Sequence, residues 1–379
     1  MTPTATHSGS TVVVVGGSLT GLALAAALAR VGITVTVVEQ TVGEERGGTG
    51  LGVDRNLLTA VTGINATKND DVPALPVVRT HRETTTWEAI HRWLRAVVRV
   101  TGRVEVIEGT RVDDVQQSET SARMRGPEID LEADLVLGAD GYRSVVRRAV
   151  DPTHPVAPYG GFVLWRGLVP ENLVRPDARD SLRGGLLPSA ATARLVVYHV
   201  PGADGDARPG KRRITFAWYD ATRTEWLRER GFLRGDEVTS SVPPEAVEGE
   251  LREELRTLSA RWRPPASDVL AAAIEKRVIF GTPLAQYFPK RLANGRVAIV
   301  GDAAHVASPM VGAGLVNGLR DCASVASVLK GAHSASRVGI AALEAYQRLR
   351  LNENRIYVGE SIAATEALLR SVRVDPGAV

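Results

Sequence analysis

Two segments far apart in this chain share one design, an apolar β-branched run broken by glycine, and no other feature constrains the fold so strongly. The early copy reads Thr11-Val-Val-Val-Val-Gly16-Gly-Ser18-Leu19-Thr20-Gly21 and continues as an alanine-rich stretch to Arg30. The late copy reads Arg296-Val-Ala-Ile-Val-Gly301-Asp302-Ala-Ala-His305-Val-Ala-Ser-Pro309. Apolar runs without alternation predict strands buried on both faces, as in a parallel sheet. Helix formers after the glycine predict a strand, a tight turn and a helix whose N-terminal N–H groups sit beside the turn. Such a terminus favours an anion, a pyrophosphate above all. Two such segments from opposite ends of the chain are expected to embrace one ligand.

The second predicted strand, Thr34-Val-Thr-Val-Val-Glu39, ends in an acid 18 residues after Gly21. A carboxylate there suits ribose hydroxyls, so the opening reads as a dinucleotide-binding βαβ unit. Serine replaces the glycine expected nearest the pyrophosphate, giving Gly16-x-Ser18-x-x-Gly21.

At 379 residues the chain exceeds what one core usually holds, so two domains are expected. Lys+Arg 46 against Asp+Glu 43 leaves a net charge of +3, with no basic run interleaved with aromatics, so no nucleic-acid partner is implied. The single cysteine, Cys322, excludes an internal disulfide and points to a reducing, cytoplasmic setting. The 7 histidines are scattered without metal-ligand spacing, and no metal is expected. The opening residues are polar and the apolar run after them is only strand-length, so neither a signal peptide nor a membrane span is read.

The segment from about Asn56 to Asp71 is polar and poorly periodic, and is expected to be a surface loop or lid. Ile90, Trp93, Leu94, Val97 and Val98 mark one face of a helix beginning near Thr86. Short strands are expected at 103–107, 111–115 and 122–125, then a third buried strand ending at Gly138. From about Tyr159 the pattern changes to antiparallel strands at 161–167, 194–200 and 213–219. A helix near 244–258, a strand near Val278 and helices at about 312–329 and 340–369 follow. No internal repeat appears.

Three motifs in order carry a resemblance to a known family. They are the glycine turn with Glu39, the segment Gly138-Ala-Asp140-Gly141-Tyr-Arg-Ser144-Val-Val-Arg147, and Gly301-Asp302-Ala-Ala-His305 followed by Pro309, Gly312, Gly314 and Asp321. Together they resemble the single-component FAD-dependent aromatic hydroxylases of the p-hydroxybenzoate hydroxylase fold. The subgroup most similar is the 2,6-dihydroxypyridine 3-monooxygenase type, through the serine-bearing turn, Gly48-Thr49-Gly50-Leu51, Trp165-Arg166-Gly167, Leu195-Val-Val-Tyr198-His-Val-Pro201-Gly202 and Phe216-Ala-Trp218-Tyr219.

The resemblance implies an α/β fold: a Rossmann-like FAD-binding domain, a sheet-rich substrate domain and C-terminal helices. Residues 1–71, 86–152 and 282–340 would form the discontinuous FAD-binding domain, 72–85 and 153–281 the substrate domain, and 341–379 a helical tail. It implies FAD contacts from Gly16, Ser18, Leu19, Thr20, Gly21, Glu39, Gln40, Gly48, Thr49, Gly50, Asp140, Asp302, Pro309, Gly312, Ala313, Gly314 and Leu315. Asp302 would meet a ribityl or ribose hydroxyl, its alternative being a helix cap. Gly312 and Gly314 would let backbone approach the isoalloxazine, their alternative being ordinary tight turns. Asp140 stands between cofactor contact and turn formation, and Ser144 and Arg147 between a family role and a cap with a surface pair. Trp87 and Val316 depart from the arginine and asparagine that many relatives carry.

The implied chemistry is the cofactor's. Reduced nicotinamide, NADH or NADPH, reduces FAD; O₂ adds at flavin C4a; the hydroperoxide passes an electrophilic OH to an electron-rich aromatic or heteroaromatic ring. The expected pocket walls are Tyr198, His199, Phe216, Trp218, Tyr219 and Pro309. Strand alternation puts Tyr198 and His199 on opposite faces, so at most one of them meets substrate, and core packing is the competing role for each. His305 reads as structural or flavin-adjacent. Epoxidation or oxygen insertion uses the same peroxide and stays open, as does a noncatalytic flavin or ligand-binding role. A flavin-dependent halogenase is disfavoured because Trp-x-Trp-x-Ile-Pro is absent. The substrate, the nicotinamide and the oligomeric state are not readable.

Overall fold

The computed structural model describes residues 12–43, 49–79, 82–177, 182, 195–331 and 336–374. The opening run forms strand β1 (Val12–Val15) and helix α1 (Leu19–Arg30), then β2 (Val35–Val38). A small antiparallel sheet follows from β3 (Gly50–Gly52), β4 (Val78–Arg79) and β5 (Glu83–Thr86), enclosing helix α2 (Arg55–Thr62) in the chain order. Helix α3 (Trp87–Thr101) leads to β6 (Val104–Ile107). An antiparallel meander of β7 (Asp114–Gln117), β8 (Ala122–Gly126) and β9 (Ile129–Ala133) then precedes β10 (Leu135–Gly138) and the short helix α4 (Val146–Val150).

The second unit is an antiparallel sheet built from β11 (Tyr159–Pro170), β12 (Leu195–Val200) and β13 (Arg213–Asp220). A two-stranded ribbon, β14 (Leu233–Arg234) with β15 (Glu237–Val238), and two helices at Gly249–Ser259 and Ala266–Glu275 separate these from its fourth strand, β16 (Phe280–Ala285). The chain then returns through β17 (Ala293–Asn294) and β18 (Val297–Ile299).

The first sheet runs β17-β18-β10-β1-β2-β6. Its β18, β10, β1, β2 and β6 pair in parallel, so both glycine-terminated runs do share one sheet, with β10 between them. Val12, Val13, Val14 and Val15 are all buried, as an unalternated run requires when helices cover both faces. The core beneath α1 and α3 joins Leu22, Leu24, Leu28, Ile90, Leu94 and Val97, the last three from the stripe read at helical spacing. Val72 and Leu75 also pack into this core, and β5 hydrogen-bonds to β3. Thr84 at the same time donates to the His199 carbonyl on β12, at 2.7 Å.

The segment expected to be loop or lid after Asn56 instead contains α2. Asp54 Oδ1 accepts from Leu57 N at 2.9 Å, Gly63 ends the helix at φ 78, and Leu58 and Val61 bury one face. Eight residues are too few for periodicity to stand out against polar neighbours. Strand β9 and the helix Ala266–Glu275 were also not anticipated, and the final helix extends over Ser336–Val374. Among the described residues no helix is long and apolar enough to cross a membrane, and no group of His, Cys, Asp or Glu has the makings of a metal site.

The second sheet, ordered β12-β13-β11-β16, has two unlike faces. One carries Val163, Trp165, Val197, Phe216 and Trp218 into a separate core with Leu255, Val269 and Leu270 of the two helices. The other, in the opposite phase of the alternation, carries Phe162, Leu164 and Tyr219 beside Met310 and Leu368. Arg166, Leu168, Val196, Tyr198 and Ala217 on this second face are only half-buried.

Candidate functional site

The turn after β1 is held by backbone geometry that only glycine accepts. Gly16 sits at φ 103, and a Cβ there would lie 2.5 Å from the Ala139 carbonyl oxygen; at Gly21 one would lie 1.8 Å from the Gly16 oxygen. Ser18 is the N-cap of α1, yet its side chain makes no capping hydrogen bond and the first turn carries no acid. That leaves the helix terminus suited to an external anion. Leu19 and Thr20 open the helix, and the Thr20 methyl would lie 2.8 Å from a Cβ at Gly301, so the two glycine turns are in contact.

Glu39 is buried at the end of β2 and clamps the turn: its carboxylate accepts from Gly17 N at 2.6 Å and Thr41 N at 2.8 Å. A carboxylate oxygen can accept more than one bond, so this clamp is compatible with a ribose hydroxyl. Gln40, the next residue, is exposed. Trp87, one of the two departures, stacks on His91 at 4.5 Å, and His91 Nε2 lies 3.1 Å from the Gly17 carbonyl. The aromatic pair thus buttresses the turn from α3.

Gly48 lies outside the described residues. Thr49 accepts from Trp87 N at 2.9 Å. Gly50 donates to Thr215 Oγ1 at 3.4 Å, and a Cβ there would approach the Thr215 methyl to 2.4 Å. Close contact with β13 therefore already demands glycine at Gly50.

The second and third motifs are tied together by Arg147. Asp140 accepts from Ser144 Oγ at 2.5 Å, Val145 N at 2.7 Å and Val146 N at 3.2 Å, bonds that fit the turn-forming alternative. Arg147, for which a surface pair was one expectation, has no exposed surface. Its guanidinium donates to the carbonyls of Tyr142 (2.9 Å), Asp302 (2.9 Å) and Ala303 (2.8 Å), and lies over the Tyr287 ring at 4.2 Å. Burial pushes that guanidinium down, and Tyr287, Asp140, Asp302 and Asp151 oppose the shift.

Behind the same turn, Asp321 accepts from Gly301 N at 3.0 Å, from His305 Nε2 at 2.6 Å and from Arg350 Nε at 2.9 Å, with Asn354 Nδ2 at 3.3 Å. His305 is thus structural. This cluster and Arg147 present the Asp302 side chain outward. Asp302 keeps solvent-accessible area although desolvation pushes its carboxyl above the usual carboxylate range, against the pull of His305, Arg147 and Arg166. Both properties belong to a carboxylate bordering a void inside the molecule.

After Ser308 the chain becomes accessible. Pro309 and Gly312 are exposed, and Ala313, Gly314, Leu315 and Val316 are half-buried. A Cβ at Gly312 would meet nothing nearer than 3.8 Å, and at Gly314 nothing nearer than 3.7 Å, so open space lies against this backbone. Gly312, at φ 62, and Val316 border a cleft of about 540 Å³ with Gly52, Arg55, Arg82 and Glu83. FAD fits these features: a phosphate-ready helix terminus, an acid at each of two turns, Glu39 and Asp302, and a run of accessible backbone.

Of the expected pocket walls, Tyr198 and Tyr219 stand in the phase of the second face of the sheet, and Pro309 is exposed. Tyr219 also pairs with Ser308. His199, Phe216 and Trp218 are in the opposite phase of their strands and sit in the core of the second sheet. Their aromatic character serves packing. Sequence reading passed over Arg166, although a lone charge within Gly161-Phe-Val-Leu-Trp-Arg-Gly-Leu-Val-Pro170 was a usable signal, since an apolar strand rarely carries an idle arginine inward.

Comparison with known proteins agrees with the geometry. Residues 222–355 match a family model described as FAD binding domain, and residues 159–279 one described as FAD binding domain-like. The chain is 26% identical over 275 residues to 2,6-dihydroxypyridine 3-monooxygenase of Paenarthrobacter nicotinovorans, covering 69% of this chain and 64% of that protein. It is 29% identical over 222 residues to 3-amino-4-hydroxybenzoate 2-monooxygenase of Streptomyces cremeus, covering 58% of this chain and 46% of that protein. The matched region thus spans less than two thirds of either relative. Among solved structures, 2,6-dihydroxypyridine-3-hydroxylase from Arthrobacter nicotinovorans superposes with a TM-score of 0.78 at 22% identity, covering 96% of this chain and 93% of that one. Klebsiella pneumoniae HpxO complexed with FAD and uric acid superposes with a TM-score of 0.69 at 20% identity, covering 94% and 88%. By its ordered motifs, its FAD binding domain match and its fold, the chain resembles the FAD-dependent aromatic hydroxylases.

Proposed function

We propose that the protein is a monooxygenase that uses NADH or NADPH and O₂ to hydroxylate an electron-rich aromatic or heteroaromatic ring. The observation that carries this reading is the placement of the Asp302 turn and the accessible 309–316 backbone opposite the half-buried face of the second sheet. FAD, when bound, supplies the electron transfer from nicotinamide to oxygen and the activated oxygen. The protein's own part is orientation and water exclusion. Asp302 and the α1 terminus hold the cofactor. Phe162, Leu164 and Tyr219 seal one wall, and a closed apolar wall keeps water from diverting reduced oxygen to hydrogen peroxide.

No buried histidine or carboxylate is needed as a general base for an already electron-rich ring, and His305 is engaged by Asp321. We assign residues 1–71, 86–152 and 282–340 to the FAD-binding domain, 72–85 and 153–281 to the substrate domain, and 341–379 to a helical tail. Shared pairing of β1, β10 and β18 supports the discontinuity. The buried single thiol, Cys322, accords with a cytoplasmic location.

The test is to screen phenols, hydroxypyridines and polycyclic aromatics for accelerated nicotinamide oxidation, then to analyse product mass under ¹⁸O₂. One labelled oxygen per product is expected. Conversion without label overturns the monooxygenase reading, and FAD-loaded protein inert across the screen favours a binding role.

A further inference from the structure

The final helix, Ser336–Val374, carries a buried polar stripe of Arg350, Asn354, Tyr357, Ser361 and Thr365 at helical spacing. Four of these five are engaged inside the protein. Arg350 Nε and Asn354 Nδ2 donate to Asp321, behind the Gly301 turn. Ser361 Oγ accepts from Ser308 N at 2.6 Å and from Gln286 Nε2 at 3.2 Å, and Thr365 Oγ1 accepts from the same amide at 3.1 Å. The stripe therefore holds both ends of the segment 301–308.

Tyr357 is the exception. Its ring stands edge-on to His305 at 5.8 Å, and its hydroxyl lies 3.7 Å from where a Cβ would stand on Gly314, in the accessible backbone. Asn317, on the helix Gly314–Leu329, favours the ionised phenol, as an amide N–H donating to its oxygen does. Burial and then Asp302 push the phenol up against this, so it keeps its proton. Among the described residues no acceptor takes that proton, whereas Tyr346 donates to the Ile299 carbonyl at 2.9 Å and Tyr287 to Asp151 at 3.2 Å. A buried hydroxyl is ordinarily satisfied, so a donor left over beside open space calls for an acceptor from outside.

We propose that Tyr357 makes the final helix part of the cofactor site: its phenol donates a hydrogen bond to an oxygen of FAD, either a ribityl hydroxyl or a carbonyl of the isoalloxazine. An ionised Asp302 only accepts, so the phenol adds a donor beside it, and the pair suits an oxygen that accepts or a hydroxyl that does both. This deepens the reading above by giving the same site a further cofactor contact. It rests on FAD lying along the 309–316 backbone and on no particular substrate.

The experiment reads binding and flavin properties, independent of turnover. Full-length wild-type and Tyr357→Phe apoproteins are titrated with FAD by flavin fluorescence, and each is melted without FAD; the reconstituted proteins give visible spectra and midpoint potentials. Phenylalanine keeps the ring against His305, so the melting temperature without FAD should match wild type. The Kd for FAD is expected to rise about tenfold. A shift of the flavin absorption band and potential alongside that loss identifies a ring carbonyl; the loss without either shift identifies a ribityl hydroxyl. Tyr357→Phe with unchanged affinity, spectrum and potential overturns the proposal and leaves the flavin reading intact. A variant that fails to fold, or whose lowered melting temperature accounts for the whole affinity loss, also overturns it, because the hydroxyl would then be structural. Wild-type protein that binds no FAD defeats the flavin reading itself and the proposal with it.

Discussion

His305 Nε2 lies 2.6 Å from Asp321 Oδ2, and neither side chain reaches solvent. Burial alone would push the Asp321 carboxyl up, but His305 and Arg350 outweigh it and hold the group below its ordinary value of 3.8. Its folded value being depressed, the contribution to stability is complete above about pH 4 and is lost as pH falls through the depressed value. Asp321→Asn leaves buried cations unbalanced and is expected to cost about 3–5 kcal/mol. Urea unfolding of the FAD-free variant at neutral pH checks this; a loss under about 1 kcal/mol would show that the cluster is not charged.

Arg147→Met should uncouple two motifs at once. Three carbonyls, the one at Ala303 buried, lose their donor, for an expected cost of about 2–4 kcal/mol, and the Asp302 turn loses its anchor. FAD dissociation should therefore quicken more than the stability loss by itself explains. Comparing FAD affinity with unfolding free energy separates the two effects, and unchanged affinity in folded variant protein would count against Arg147 as an anchor.

Gly16→Ala and Gly314→Ala are expected to diverge. The first places a methyl against the Ala139 carbonyl at a positive φ, so the turn must rebuild and both folding and FAD binding should suffer. The second meets nothing closer than 3.7 Å in the protein and gains helix propensity, so the melting temperature without FAD should hold or rise slightly. Weaker FAD binding by Gly314→Ala, by about tenfold or more, is the expected sign of cofactor lying against that backbone. Equal FAD affinity to wild type would remove Gly314 from the site.

His199 should govern stability in mild acid. Burial and then Arg212 push its value down from 6.5 to about 4. Glu171 Oε2 lies 3.3 Å away, but that carboxylate is already met by Arg212 and Gly210 N. With the folded value below the unfolded one, stability is full above about pH 6.5 and falls by up to about 3 kcal/mol toward pH 4. His199→Gln should flatten this limb in a pH series of thermal melts. An identical slope in the variant would assign the acid sensitivity elsewhere.

What the sequence determined by itself is local or periodic. The glycine turns after β1, β10 and β18 were readable because φ and close backbone approach select glycine within a few residues, whatever surrounds them. Alternation likewise separated Tyr198 from His199 before any coordinates, since the period of two is a property of the strand alone. Which phase faces the cofactor was not encoded there. Packing of the helices Gly249–Ser259 and Ala266–Glu275 onto one face decided it, burying Phe216 and Trp218 and leaving Tyr198, Ala217 and Arg166 on the other. The same holds for Arg147, whose partners at Asp302 and Ala303 lie 155 and 156 residues away, and for Gly50, whose constraint comes from Thr215. Only the tertiary structure assigns these roles, because a buried charge or a missing Cβ takes its meaning from distant atoms that sequence spacing does not record.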